Sequence, residues 1–444
     1  MEIKLSDHFS YGKLMRFTLP TIGTMILISV YSIVDGYFVS NFAGKVPFAA
    51  LNLIYPLFMV LGSVGFMLGT GGTAIVTRLL GKGEPREANA VFSMLVYVAI
   101  VLGVILGVIG IVIARPAAIF LGASAEMLDW SVLYGRIMMA ALPGLILQFM
   151  FQPLIIAAER PKLGFWISFA AGMTNIVGDA LLVGCLGWGL KGAAIATAAS
   201  LYVGGLAPLI FFMSRRNNTH LHLGQPEKRL RFLAETCVNG SSELLGNIAA
   251  SVVSMCYNYQ LMKYLGENGV AAYGVVMYVM FIFIATFVGY SSGIAPVIGF
   301  NYGAENHQEQ KSIFGKSLKI IAVAAIAMVL FAEAMASPLA VLFVGYDAEL
   351  CALTEKAFRI YSLSFLLCGF NIYGSAMFTG LSNGLISALI SFFRTLICET
   401  CAVMLLPLVF GIDGIWFAIV AAELVALCLT TFFVIRNRHR YGYM

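Results

Sequence analysis

The chain has 444 residues, 60% of them hydrophobic and only 11% charged, with a formal net charge of +5 and a mean hydropathy of +0.91. Soluble domains carry about a quarter charged residues, so no water-soluble globule of this size could hide so much apolar surface, and lipid must cover it. No basic stretch suits nucleic acid, no GxxxxGK[ST] loop is present for a nucleotide, and the eight cysteines fall mostly inside apolar runs rather than forming a disulfide framework.

In hydrocarbon only helices or a closed barrel satisfy the backbone, and apolar runs of about 20 residues suit helices. The N-terminus carries Glu2 and Asp7 and no basic region of the secretory type, so the first run reads as a retained span. In chain order the spans are predicted at 14–40, 50–77, 91–114, 131–157, 164–187 and 190–213. After the polar insert 214–231 (SRRNNTHLHLGQPEKRLR) come 233–262, 270–299, 318–344, 357–381, 386–411 and 413–435. The expected fold is an all-α polytopic membrane protein of twelve transmembrane helices. It has an N-terminal six-helix lobe (1–213), a linker (214–231) and a C-terminal six-helix lobe (232–444).

Placement of Lys and Arg sets the orientation. With the N-terminus in the cytoplasm, 19 of the 27 basic residues face the cytoplasm, six (Lys45 and Arg115 among them) face outward, and Arg136 and Arg394 lie within spans. Both termini are expected in the cytoplasm, in a plasma (inner) membrane. The halves also repeat. Gly69–Glu84 corresponds to Gly289–Ala304 and Gly189–Gly192 to Gly411–Gly414, at offsets of 220 and 222 residues. Six spans per half make the repeats parallel, related by a pseudo-two-fold axis along the membrane normal, a transporter architecture.

A carboxyl group inside a span marks a functional site by default. The candidates are Asp35, Asp179, Glu243, Glu333, Glu399 and Glu423. At 1.5 Å of rise per residue, Asp35 sits roughly 8 Å, Thr197 roughly 10 Å and Asp179 roughly 12 Å from the outer end of its span. Asn175 lies one turn before Asp179 on the same face. The four could form an oxygen-rich site for Na⁺, the one metal this set suggests, or equally a proton site, since burial and a neighbouring carboxylate both favour a neutral acid. The bland alternative is that Asp35 and Asp179 face outer water or pair with Arg115 or Arg136. At the repeat offset Asp179 corresponds to Cys401, Asn175 to Ile397 and Asp35 to Ser254, so the second lobe lacks the set. It has its own acid, Glu243, near the midplane, for cation or substrate binding or as a hydrogen-bonded structural group. For Arg394, Glu399 and Glu333 structural pairing is expected, and Glu423 is not assigned to the cavity. Pro20 lies upstream of Asp35 on one helix and could act as a hinge or as a static kink. Cys398 and Cys401 form a CxxC without a companion pair, and His220 and His222 read as solvated loop residues. No catalytic residue is expected.

Read together, these segments resemble the multidrug and toxic compound extrusion (MATE) transporters, of the bacterial type that includes DinF-like and MepA-like branches. The resemblance is carried by TLPTIGTMILISVYSIVDGYFVS around Pro20 and Asp35, GTGGTAIVTRLLGKGEPREA, AAERPKLGFWISFAAGMTNIVGDALLV, GLKGAAIATAAS, APVIGFNYGAEN and LLPLVFGIDGIWFAIVAAE. It implies a secondary antiporter that exports cationic amphiphilic compounds against H⁺ or Na⁺ entry, without other cofactors. It also implies that Asp35, Asn175, Asp179 and Thr197 form the cation site. Glu243 matches a span-seven acid of some members, whose further acid in span ten is missing here. The expected partners are small-molecule organic cations and the bilayer, with a monomer as the working unit. Alternatives are a lipid-linked precursor flippase of the same superfamily, a non-transporting membrane scaffold or receptor, and a membrane-embedded enzyme.

Overall fold

The apolar runs are helical in the computed structural model, which describes residues 3–215, 217–225, 229–345 and 347–444. Glu2, Arg216 and Lys228, counted above among the terminal and linker charges, lie outside the described residues, as does the side chain of Lys45. The first helix, α1, spans Tyr11–Phe38. Ser10 caps it by accepting the Lys13 N–H, and it runs through Pro20 into a π-helical turn, Val39–Ala43. There follow α2 (Lys45–Gly81), α3 (Pro85–Phe120), α4 (Ala125–Ala140), α5 (Leu142–Ala157), α6 (Pro161–Gly178) and α7 (Gly189–Met213). A π-helical turn, Asp179–Cys185, extends α6. The second half holds α8 (Leu230–Gly303), α9 (His307–Val344), α10 (Ala348–Ser362), α11 (Phe365–Gly380), α12 (Gly384–Phe392), α13 (Thr400–Phe410) and α14 (Ile412–Tyr441), with a π-helical turn, Phe393–Glu399, joining α12 to α13.

Among the described residues, nine helices are long and apolar enough to cross a membrane on their own. The pairs α4–α5 and α10–α11, bent by 50° and 49°, add two more. The twelfth traverse is the first arm of α8, which Gly266 (φ 63°, ψ −148°) separates from the second arm. That arm is more polar because Glu235, Asn239, Glu243, Asn247 and Ser251 recur every fourth residue along one face. The helices overrun the predicted spans where polar turns leave the hydrocarbon. α9 starts eleven residues before 318 and α10 nine before 357. Arg359, at the start of the span predicted at 357–381, therefore lies well inside α10, paired with Glu355 at 2.8 Å and Glu333 at 3.1 Å.

Each half has its own apolar core. In the first, Phe151 stacks on Phe212 at 5.6 Å beside Phe92. In the second, Trp416, Tyr257, Tyr373 and Phe365 are wholly buried. The start of the chain belongs to the second core by packing, since Leu5, Phe9, Leu14, Phe17 and Ile22 all join it. α1 thus begins against the far half of the sequence and ends among α6 and α7.

The lobes meet through α1 and α2 against α8. The contact is backbone on backbone near the face that carries both termini. A Cβ on Gly71 would strike the Thr236 carbonyl, one on Gly240 the Met67 carbonyl, one on Gly81 the Phe300 carbonyl and one on Gly303 the Arg78 carbonyl. Toward α1, a Cβ on Gly289 would meet the Ile22 backbone at 2.5 Å and one on Gly293 the Thr18 side chain at 3.1 Å. Ion pairs Arg78–Glu235 (3.1 Å) and Arg229–Glu87 (3.0 Å) cross the same face. So does the N-terminal strap. The Leu5 N–H donates to Glu159 Oε1 at 2.7 Å, on the α5–α6 turn of the first half. The Phe9 N–H donates to Glu309 Oε1 at 2.8 Å, on α9 of the second. His8 Nδ1 adds a 2.6 Å contact to Glu309, and Lys316 Nζ donates to the Phe9 carbonyl. The described part of the linker is tied to the first half. Asn89 bonds the His220 carbonyl and the His222 N–H, and Ser93 Oγ accepts from Gly224.

Candidate functional site

Close helix packing brings the four predicted first-half residues together. Gly178 lets α6 approach α7, since an added Cβ would lie 2.7 Å from the Ala196 methyl, and Gly172 admits the Tyr31 ring of α1 at 2.9 Å. Asn175 Nδ2 donates to Thr197 Oγ1 at 3.2 Å, and Thr197 Oγ1 donates to Asp35 Oδ1 at 3.4 Å. Asp179 opens the π-helical turn after α6 and is 0% exposed. Its carboxyl group interacts directly with that of Asp35, yet neither Asp179 oxygen has a hydrogen-bond donor among the described residues. Asp35 is half-buried. Arg115 and Arg136 are exposed and pair with neither acid among the described residues.

Three tyrosines that the sequence did not single out surround the pair. Tyr31, Tyr55 and Tyr134 all lie close enough to Asp35 to feel its charge. Tyr31 lies one turn before Asp35, so the rule that found Asn175 beside Asp179 could have found it. Tyr55 and Tyr134 come from α2 and α4, and no sequence spacing links them to Asp35.

Glu243 is elsewhere. It lines a cavity of about 310 Å³ between the halves, with Thr24, Gln152, Asn371, Ser391 and Arg394 among its neighbours. Its carboxyl group is exposed to that space and has no side-chain partner among the described residues. Glu423, Arg394 and Asn371 form a buried network. Arg394 Nε donates to Glu423 at 2.8 Å and 3.0 Å, Arg394 Nη2 at 2.5 Å, Asn371 Nδ2 at 2.7 Å, and Thr430 Oγ1 donates to Asn371 Oδ1 at 2.8 Å. Arg394 is thus both a structural partner and a cavity-lining group, while Glu399 lies close to the pair without bonding to it. Glu333 pairs with Arg359 and accepts from Ser362. Cys398 is buried and Cys401 exposed, both as free thiols. Among the described residues no three His, Cys, Asp or Glu side chains gather as metal ligands.

A two-lobed, all-α polytopic membrane protein with an acidic pair inside one lobe and a cavity between lobes defines the class. A family model described as MatE matches residues 20–181 and 244–402, and the chain belongs to that family. Multidrug export protein MepA of Staphylococcus haemolyticus is 27% identical over 441 residues, covering 97% of this chain and 94% of that protein. The fold matches the outward-facing conformation of a multidrug resistance MATE family transporter of the MOP superfamily, with a TM-score of 0.92, 22% identity and 98% of each chain covered. It also matches a MOP superfamily transporter from Pyrococcus furiosus Vc1, whose binding pocket is described as having reverse polarity suggesting a different function. That match has a TM-score of 0.89, 23% identity and covers 98% of this chain and 97% of the other.

Proposed function

We infer that this chain is a secondary-active multidrug exporter of the inner membrane, carrying cationic amphiphiles outward against H⁺ or Na⁺. The observation that carries the reading is Asp179, fully buried beside Asp35 with both oxygens lacking a donor. Two ionised carboxylates side by side, one of them fully buried with no donor, are too costly to persist, so the pair calls for a proton or a cation. Asn175 and Thr197 complete the site. Substrate is received apart from it, in the cavity where Glu243 offers an unneutralised charge.

α1 supplies the connection. Its outer half holds Asp35, and its inner half holds Thr18 and Ile22 against Gly293 and Gly289. Cation binding at one end, with bending at Pro20, alters the lobe contact at the other. A ligand moves such an equilibrium only through differential affinity for its two states, so coupling ion and substrate must favour different ones. The Lys and Arg bias puts both termini in the cytoplasm, and the lobes, taken as 1–213 and 232–444, are then closed on that side in this conformation. A flippase for a lipid-linked phosphate would need a cavity with surplus positive charge. The one base lining this cavity among the described residues, Arg394, is balanced in charge by Glu423, so with Glu243 the cavity carries no surplus positive charge.

The test is efflux of a fluorescent organic cation from proteoliposomes under a pH gradient or a Na⁺ gradient, imposed separately. Wild type should respond to one of them. Asp35→Asn and Asp179→Asn should each lose that response. Gradient-driven efflux at wild-type rate in Asp35→Asn would remove the pair from coupling.

A further inference from the structure

Arg394 reaches the cavity from the π-helical turn Phe393–Glu399. Its side chain is 22% exposed, whereas its partner Glu423 is 2% exposed. Glu423 takes Nε and Nη2, which leaves Nη1 without a partner among the described residues. A buried ion pair is weak evidence of a purely structural role, because well-packed apolar residues stabilise as much or more. Here the pair is anchored from behind by Asn371 and Thr430, so the guanidinium plane is held in one orientation with a donor edge uncommitted. Hydroxyl groups share that part of the cavity. Ser375 and Ser391 have their oxygens 2.8 Å apart, and Thr395 lies one residue beyond Arg394. A planar N–H edge beside hydroxyls recognises an oxyanion through charge-assisted bonds. The other charged residue lining the same cavity, among the described residues, is Glu243. A volume of about 310 Å³ admits a small drug-sized molecule.

We propose that Arg394, set in place by Glu423, is an anion-accepting subsite, and that the cavity selects zwitterionic amphiphiles, ammonium toward Glu243 and carboxylate toward Arg394. The proposal rests on the exporter reading above and names the substrate class of its cavity. A cation without an oxyanion leaves the arginine edge unsatisfied, and an anion without an ammonium leaves Glu243 unmatched.

The experiment uses the full chain in proteoliposomes and two forms of one rhodamine dye, the free acid (a zwitterion) and its methyl ester (a cation). The readout is the ratio of their KM values for gradient-driven efflux. In an Arg394→Met, Glu423→Met double variant, which leaves no lone buried charge, the acid-to-ester ratio should rise about tenfold. Arg394→Lys, which keeps a charge for Glu423 and loses the planar edge, should raise it in the same direction and covers the case in which the double variant does not fold. A purely structural arginine would change both KM values together. An unchanged ratio in either folded variant therefore overturns the proposal, as does a wild type that exports the ester and not the acid. A wild type that exports neither dye under either gradient removes the exporter reading itself, and the subsite with it.

Discussion

Asp179 and Glu423 are both buried acids in spans, and their surroundings separate their roles. Glu423 is saturated by Arg394 and Asn371, whereas Asp179 has only Asp35. Removing Glu423 by Glu423→Ala leaves a guanidinium buried without its counter-charge, at a cost of about 3–5 kcal/mol. Thermal unfolding in detergent should show that variant clearly destabilised. Asp179→Asn carries no such penalty, since it removes a charge that had no partner of opposite sign. It should fold as well as wild type and fail in coupling, with gradient-driven efflux at least tenfold lower while substrate exchange at zero gradient persists. Thr197→Ala deletes one long hydrogen bond to Asp35, worth about 1 kcal/mol, so the apparent affinity for the coupling ion should weaken about fivefold in a titration of efflux rate. Asp35, Asn175, Asp179 and Thr197 were legible in the sequence because helical rise converts position into depth. Tyr55 and Tyr134 were not, because their place at the site depends on how separate helices pack. The Arg394–Glu423 pair was hidden for the same reason, as its members lie 29 residues apart.

The number of spans could be read from hydropathy, but the breaks within them could only partly be read. Pro143 marks the α4–α5 bend, whereas the bend between Ser362 and Phe365 contains no proline or glycine. The three π-helical turns have no residue signature at all, although two of them carry Asp179 and Arg394. The first arm of α8 looks polar for a span because Glu235 pairs with Arg78 across the lobe contact, Asn239 bonds the Thr379 carbonyl and Glu243 lines the cavity. Its backbone approach to α2 gives a direct test. Gly240→Val would drive a side chain into the Met67 carbonyl and should shift the molecule toward the state open at the terminal face. In a cysteine-free background, a Ser292→Cys reporter in the cavity should then label several-fold faster with an impermeant maleimide added on that side. Glu309→Ala, which frees the Phe9 N–H and His8, should move the same readout in the same direction by a smaller amount. A labelling rate equal to wild type in both would mean that neither contact holds the lobes together.

At the scale of the molecule, internal repetition predicts two halves, and each half does have its own core. What repetition could not reveal is the position of the chain start. Leu5, Phe9, Leu14 and Phe17 precede or open the first span, so sequence order assigns them to the first half, yet apolar packing places them in the second core. That exchange makes α1 common to both halves and ties the acid pair to the lobe contact without any separate relay. The strap reinforces it through main-chain N–H groups of Leu5 and Phe9, which any residue except proline supplies. No sequence pattern at those two positions could therefore have signalled it.

The glycine contacts between α2 and α8 should also act as electrical insulation. Where a single added methyl would collide with the opposite carbonyl, a file of water molecules has no room, and protons cross membranes along such files. A secondary-active exporter wastes its driving gradient if ions short-circuit through it between cycles. Backbone laid on backbone at Gly71, Gly81, Gly240 and Gly303 blocks that leak more tightly than interdigitated side chains, whose rotamers open transient gaps. Vesicles containing the wild-type chain and no substrate should therefore hold an imposed pH gradient about as long as empty ones, and those containing Gly240→Val should lose it sooner.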